Sequence, residues 1–253
     1  MSNNEPVMTT DWIPYPDGIR ADKGFFSMSD IHGHFKKAAE ALLYAMQNSA
    51  GHDFVFMGDL IDRGPQSLSC MTLPYFAEMS NRFEEVISIM GNHEEVFSVF
   101  LRNPNAQSEA NVRMMGGDGI LSGLRENPKL MVDVNRYMSS LVPFHTNGDL
   151  VITHAIPSPR SPLSEQTEDM FRWNASDMAD GDWSRLMGKK ALLIHGHTRN
   201  GVQCQGRSSA RVVTDIRTLI DAKMRVCCDV GTPWSMEVAL FQFEKERFRV
   251  HFY

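Results

Sequence analysis

Residues 54–64 read Phe54-Val55-Phe56-Met57-Gly58-Asp59-Leu60-Ile61-Asp62-Arg63-Gly64. Four consecutive apolar residues, followed by glycine and a carboxylate, form the pattern of a short buried strand that stops at a polar turn. The same pattern lies on either side. Upstream, Gly24-Phe25-Phe26-Ser27-Met28-Ser29 runs into Asp30-Ile31-His32-Gly33-His34. Downstream, Val86-Ile87-Ser88-Ile89-Met90 runs into Gly91-Asn92-His93-Glu94. A helix is predicted after the first strand, with Phe35, Ala38, Ala39, Leu42, Leu43 and Met46 spaced by three and four. A helical stretch over 66–81 follows the second strand, with Pro74 as a kink or early stop. A third helix is predicted through Val96, Phe97, Val99 and Phe100. Three strand-then-helix units in succession predict an α/β fold built on parallel strands. Sites in such sheets form beyond the carboxyl ends of the strands, where these polar clusters fall.

Outside this core, residues 1–23, with Pro6, Pro14, Pro16 and Asp17-Gly18, read as an irregular lead-in, and residues 24–253 as a single domain. The stretch 103–140, richer in Gly, Asn and Pro, reads as a helical or loop insertion. Strands are predicted again at 150–153, ending at His154, and at 191–194, ending at His195-Gly196-His197. Further strands fall at 225–228, 237–243 and 248–252, with Phe248, Val250 and Phe252 on one face.

Composition sets the broad class. A chain of 253 residues with 42% hydrophobic and 22% charged residues can bury a substantial core. A formal charge of −6 lacks the basic footprint that nucleic-acid binding needs. No apolar run reaches the roughly 18–20 residues that span a bilayer. The four cysteines contain no Cys-x-x-Cys pair and the start is polar, which predicts reduced thiols in a cytoplasmic protein.

Five times, then, a short apolar strand ends in Asp, Asn or His: Asp30 and His32, Asp59 and Asp62, Asn92 and His93, His154, and His195 with His197. One such histidine is ordinarily structural. Five sets at strand ends predict one shared site. Carboxylate, imidazole and amide oxygen without thiolate suit a divalent ion such as manganese, iron or zinc. An Asp and a His two residues apart can reach one ion together, and an Asp on the neighbouring strand can bridge two.

The blocks Ser29-Asp30-Ile31-His32-Gly33, Gly58-Asp59-Leu60-Ile61-Asp62-Arg63-Gly64 and Gly91-Asn92-His93-Glu94, with His154 and Gly196-His197-Thr198, resemble the signatures of the phosphoprotein phosphatases. These are Ser/Thr-type members of the calcineurin-like metallophosphoesterases, and the match is to compact bacterial and phage-type enzymes carrying an element like Met115-Gly116-Gly117. The resemblance implies an α/β/β/α sandwich of mixed sheets flanked by helices. It implies two divalent ions, manganese first and iron or zinc also fitting. Asp30 and His32 would hold the first ion, Asp59 would bridge, and Asn92, His154 and His197 would hold the second. His93 would be the general acid, Asp62 the carboxylate that orients it, and Arg63 a grip on substrate phosphate. A metal-bridging hydroxide would attack phosphorus in line, with no covalent phosphoenzyme. The implied substrate is a phosphorylated protein or peptide, with no nucleic acid, membrane or regulatory subunit as partner. A diadenosine tetraphosphate or other nucleotide hydrolase is the second reading, and an inactive binding module the third.

The sequence departs from that pattern in several places. Ser29 stands where glycine is usual, and His154-Ala155-Ile156-Pro157 lacks a second glycine after the histidine. No arginine follows Trp173 at the usual step, so Arg172 or Arg199 is the candidate for a second phosphate clamp. The stretch 200–223, with Arg207, Arg211 and Arg217, reads either as a solvated excursion or as a basic flap.

Overall fold

The computed structural model describes residues 5–174, 182–198, 224–232 and 237–253. Arg199 and the stretch 200–223 therefore lie outside the described residues.

The three strand–helix units form as the periodicity predicts. They are β3 (Phe25–Met28) with α1 (Phe35–Gln47), β4 (Asp53–Phe56) with α2 (Ser67–Cys70) and α3 (Leu73–Met79), and β5 (Val86–Ile89) with α4 (Asn92–Arg102). The single helix expected over 66–81 is two. Pro74 falls in the first turn of α3, where its missing N–H costs nothing, so it opens a helix and does not kink one. The stretch 103–140 is helical, with α5 (Ala106–Met114), α6 (Asp118–Glu126) and α7 (Met131–Ser140). Then come β6 (Leu141–Val142), β7 (Phe144–Asn147), β8 (Leu150–Thr153), α8 (Glu168–Arg172) and α9 (Ser184–Met187). The chain closes with β9 (Leu192–His195), β10 (Arg225–Cys227), β11 (Ala239–Phe243) and β12 (Arg247–Phe252).

Among the described residues the strands form two mixed sheets. In the larger, β3, β4, β5 and β6 run parallel, while β11 joins β3 antiparallel and pairs β12 antiparallel. Residues 1–23 are not wholly irregular. Their β1 (Met8–Thr9) and β2 (Ile13–Pro14) pair antiparallel with β12 at the edge, where proline is tolerated. In the smaller sheet the order is β10-β9-β8-β7, with only β7 antiparallel.

Side-chain alternation sorts the strand residues between two faces. Phe25, Val55, Ile87 and Ile89 pack with Ile152, Ile194, Phe241, Phe248, Val250 and Phe252 between the sheets. Phe26, Met28, Phe54 and Phe56 face the opposite way, against α1, α3, α4 and the helical insertion. On the outer side of the smaller sheet, Val151 and Leu193 meet Ile156, Phe171, Trp183 and Leu186. The layers are thus helix, sheet, sheet and helix. The carboxyl ends of β3, β4, β5, β8 and β9 bring the polar clusters to one edge.

Candidate metal centre

Every candidate ligand follows a strand end, and the chain must turn sharply there. Asp30, His32, Asp59, Asp62, Arg63 and His197 all take left-handed backbone conformations, with φ between 45° and 68°. The two loops that follow β3 and β4 are tied side by side: Asp30 N–H donates to Gly58 O (3.1 Å), His32 N–H to Asp59 O (2.9 Å) and Gly33 N–H to Leu60 O (2.8 Å).

Asp59 is the hub. Among the described residues, two groups of titratable side chains bring ligand atoms within 4.8 Å of one another: Asp59 with His32 and His93, and Asp59 with His154 and His197. His32 Nε2 lies 3.7 Å from Asp59 Oδ2, and His154 Nε2 lies 3.5 Å from Asp59 Oδ1. Asn92 joins the second group, its Oδ1 lying 3.1 Å from His154 Nε2 and 3.0 Å from His197 Nδ1. Asp30 stands slightly apart. Its carboxylate accepts the Ser29 hydroxyl (2.5 Å) and the His197 N–H (3.1 Å), and it adjoins Asp229. The serine found in place of glycine therefore has a role here, as a donor to Asp30. His195, next to the site, is buried and its Nδ1 lies 2.9 Å from Gly196 O.

This donor set fits divalent ions. Each histidine has one ring nitrogen tied to a backbone carbonyl: His32 Nδ1 to Ile61 O (3.0 Å), His154 Nδ1 to Met57 O (2.8 Å) and His197 to the carbonyl of Trp173. The other nitrogen is thereby fixed toward Asp59 or Asn92. Holding the tautomer through the outer nitrogen is how proteins orient imidazole ligands. Burial pushes His32 down to about 3, and burial with the nearby His154 pushes His197 down to about 4, so both are neutral and able to ligate. Burial disfavours a charged His154, but the Asp59 carboxylate outweighs it and raises the imidazole to about 10. Burial likewise opposes ionisation of Asp59, yet His154 and His93 hold it well below the ordinary carboxylate value.

Beside the hub sits a second arrangement. His93 Nδ1 lies 2.7 Å from Asp62 Oδ2, both side chains being buried, and His93 Nε2 lies 3.7 Å from Asp59 Oδ2. Burial would lower the His93 pKa, but Asp59 and then Asp62 lift it above its ordinary value. The Arg63 guanidinium reaches over both imidazoles, with Nη1 3.1 Å from His32 Nε2 and Nη2 3.0 Å from His93 Nε2. Its backbone N–H is held by Gly116 O (3.0 Å), and a Cβ on Gly117 would lie 2.8 Å from Asp62 Oδ1. The Met115-Gly116-Gly117 element thus cradles the Asp62-Arg63 turn.

Arg172 is not open to a phosphate. Its guanidinium is engaged by Glu95 (2.6 Å) and by Glu168, and the Trp173 indole N–H also donates to Glu95. Two residues given no role by the sequence matter to the site. Glu94, fully buried, gathers the backbone N–H groups of Asp59 (2.8 Å), Leu60 (2.9 Å) and Gly91 (3.1 Å). Tyr137 donates its hydroxyl to the same carboxylate (3.0 Å). Glu94 was legible as the last letter of the Gly91-Asn92-His93-Glu94 block; nothing local marked Tyr137.

The family model for calcineurin-like phosphoesterases matches residues 25–217. A solved structure of a provisionally assigned diadenosine tetraphosphatase superposes with a TM-score of 0.55 at 17% identity, covering 90% of this chain and 91% of that one. A cold-active protein tyrosine phosphatase superposes with a TM-score of 0.55, also at 17% identity, covering 98% of this chain and 80% of that one. At that identity the likeness speaks for the fold alone.

Proposed function

The chain belongs to the calcineurin-like phosphoesterases, and from that premise we propose that it is a phosphomonoesterase acting on phosphoserine and phosphothreonine in proteins or peptides. Asp30, His32, Asp59, Asn92, His154 and His197 would hold two divalent ions, with manganese as the first candidate. When bound, such a pair supplies a water acidic enough to act at neutral pH and neutralises phosphoryl charge.

The observation that carries the reading is the 2.7 Å contact between His93 Nδ1 and the buried Asp62 carboxylate. An alkoxide is a poor leaving group and needs a proton as it departs. An imidazolium held charged by two carboxylates is a donor for that proton. A phosphoanhydride needs it much less, because its leaving phosphate is already a weak base. A donor built this firmly favours an ester of an alcohol over a dinucleotide. Arg63, poised over His32 and His93, would turn its planar N–H groups to the phosphoryl oxygens.

The test is a comparison of kcat/KM by metal-stripped protein reloaded with Mn2+, Fe2+ or Zn2+. Substrates are phosphoserine, phosphothreonine and phosphotyrosine peptides and diadenosine tetraphosphate. Preference for the phosphoserine and phosphothreonine peptides is expected. Faster turnover of the dinucleotide would overturn the reading in favour of a nucleotide hydrolase. Metal-loaded, folded protein inert toward all of them would indicate a binding module.

A further inference from the structure

Glu94 sits where the loops after β4 and β5 meet, and both its oxygens are shared. Oε2 accepts from Asp59 N–H and Gly91 N–H, and Oε1 accepts from Leu60 N–H and from the Tyr137 hydroxyl. Three of those donors belong to the loops themselves. The fourth comes from α7, in the helical stretch after α4, 43 residues along the chain. Asp59, the residue common to both ligand groups, is therefore anchored through Glu94 to an element that supplies no candidate ligand. Space around Glu94 is tight: a Cβ on Gly91 would lie 2.7 Å from its Oε2. A shift of Glu94 must therefore be passed to the backbone of Asp59 and Gly91.

We infer that Tyr137 is a positioning residue for the metal centre, its hydroxyl fixing the Glu94 carboxylate that sets the backbone of Asp59. Without that hydrogen bond, one of four donors to Glu94 is lost, and Oε1 is held by Leu60 N–H alone. Glu94 can then rotate about its remaining contacts, and Asp59 moves with it. The inference rests on the reading of Asp59 as a metal ligand. Hydrogen-bonded partners behind metal ligands typically set affinity or activity by 10- to 100-fold, roughly. The lower figure suits a residue one step further removed.

Tyr137 also walls a cleft of about 270 Å3 between α7 and the α2–α3 segment, together with Met71, Pro74, Tyr75 and Arg136. Tyr75 thus shares the cleft without touching Glu94, and Tyr75→Phe is the control. Mn2+ binding to ion-free protein is measured by calorimetry for wild type, Tyr137→Phe and Tyr75→Phe, and kcat and KM are measured on a phosphopeptide at limiting Mn2+. Tyr137→Phe is expected to weaken Mn2+ binding about tenfold and to lower kcat with KM unchanged, while Tyr75→Phe leaves both as in wild type. A merely structural Tyr137 would lower the thermal midpoint and leave the Mn2+ affinity of the folded protein intact, and that result would overturn the inference.

Glu94→Gln probes the same link from its other end should Tyr137→Phe not fold. It is expected to weaken Mn2+ binding at least as much, and unchanged affinity would count against the link. Where both fold, Tyr137→Phe should add little in the Glu94→Gln background, since one path carries both effects; full additivity would also overturn it. Should the wild type bind Mn2+ and hydrolyse no phosphate ester, the proposed activity fails, and the binding titrations still decide the role of Tyr137.

Discussion

Asp62→Asn separates proton donation from the rest of the site. The substitution keeps the shape of the side chain and removes the charge 2.7 Å from His93 Nδ1. A hydrogen bond to a charged group is worth about 1.5–3 kcal/mol, and at about 1.4 kcal/mol per pKa unit its loss lowers the His93 pKa by about one to two units. The wild-type imidazole sits above its ordinary value, offset from burial by Asp59 and Asp62. Its proton is therefore lost at higher pH than that of an ordinary imidazole. In Asp62→Asn the same loss comes at lower pH, so the alkaline limb of kcat moves down. At about pH 8 the kcat on a phosphoserine peptide should fall about 10- to 100-fold. At about pH 6 the deficit should narrow. An aryl phosphate, whose phenolate leaves with little help, should lose far less at either pH. Steady-state kcat on the two substrates across this range is the assay. Equal losses on both substrates, or an alkaline limb that does not move, would refute His93 as the general acid.

Three further predictions follow from the geometry. A Cβ on Gly91 would collide with Asp59 Oδ1 and lie 2.6 Å from Asp59 N, so Gly91→Ala should abolish measurable Mn2+ binding at micromolar metal; calorimetry showing wild-type affinity would contradict it. Arg172→Ala leaves the partly exposed Glu95 and the exposed Glu168 without their cation, which costs about 1 kcal/mol, or about 2–4 °C in Tm for a domain of this size. A calorimetric midpoint within about a degree of wild type would disprove that structural role. His154 is raised to about 10 by Asp59, so it carries a proton at neutral pH that an ion must displace. Mn2+ binding should release about one proton near pH 7.5, read from calorimetry in buffers of different ionisation enthalpy, and affinity should fall as pH falls. Affinity independent of pH would mean that the ion does not use His154.

What the sequence made legible was local. The βα units, the polar strand ends and the convergence of Asp59, Asn92, His154 and His197 follow from periodicity and from where carboxyl ends must lie in a parallel sheet. What it hid depended on partners distant in the chain. The two-residue strands at 8–9 and 13–14 carry no pattern of their own and exist because β12 is there to pair with them. The helix expected over 66–81 divides because Pro74 opens a second helix, a distinction that proline composition alone does not make. Arg172 looked like a phosphate ligand because it stands beside Trp173, yet Glu95, 77 residues earlier, holds it. Tyr137 had no signal, since a single hydroxyl aimed at Glu94 leaves no trace in spacing.

The left-handed residues explain why Asp and His recur at the ends of β3, β4 and β9. A side chain must point back across the edge of the sheet while the chain turns away toward the following helix, and a positive φ does this in one residue. For a residue with a Cβ that conformation costs about 1–2 kcal/mol. Glycine would remove the cost and the ligand together. Asp and Asn tolerate the conformation better than other side chains, and His is enriched there as well. Asp30, His32, Asp59, Asp62 and His197 are drawn from this set, and Arg63 is the exception. It is also the one whose backbone N–H is clamped by Gly116 O. Strain is thus concentrated where the donors converge, and the cross-links that hold it run between loops. The Asp30, His32 and Gly33 amides cross to the β4 loop, and Glu94 draws that loop to the one after β5. Neighbouring loops thus help to hold one another's geometry, so the ligand positions are set collectively. A change at Glu94 or Tyr137 should therefore reach Asp59, although neither side chain is a proposed ligand.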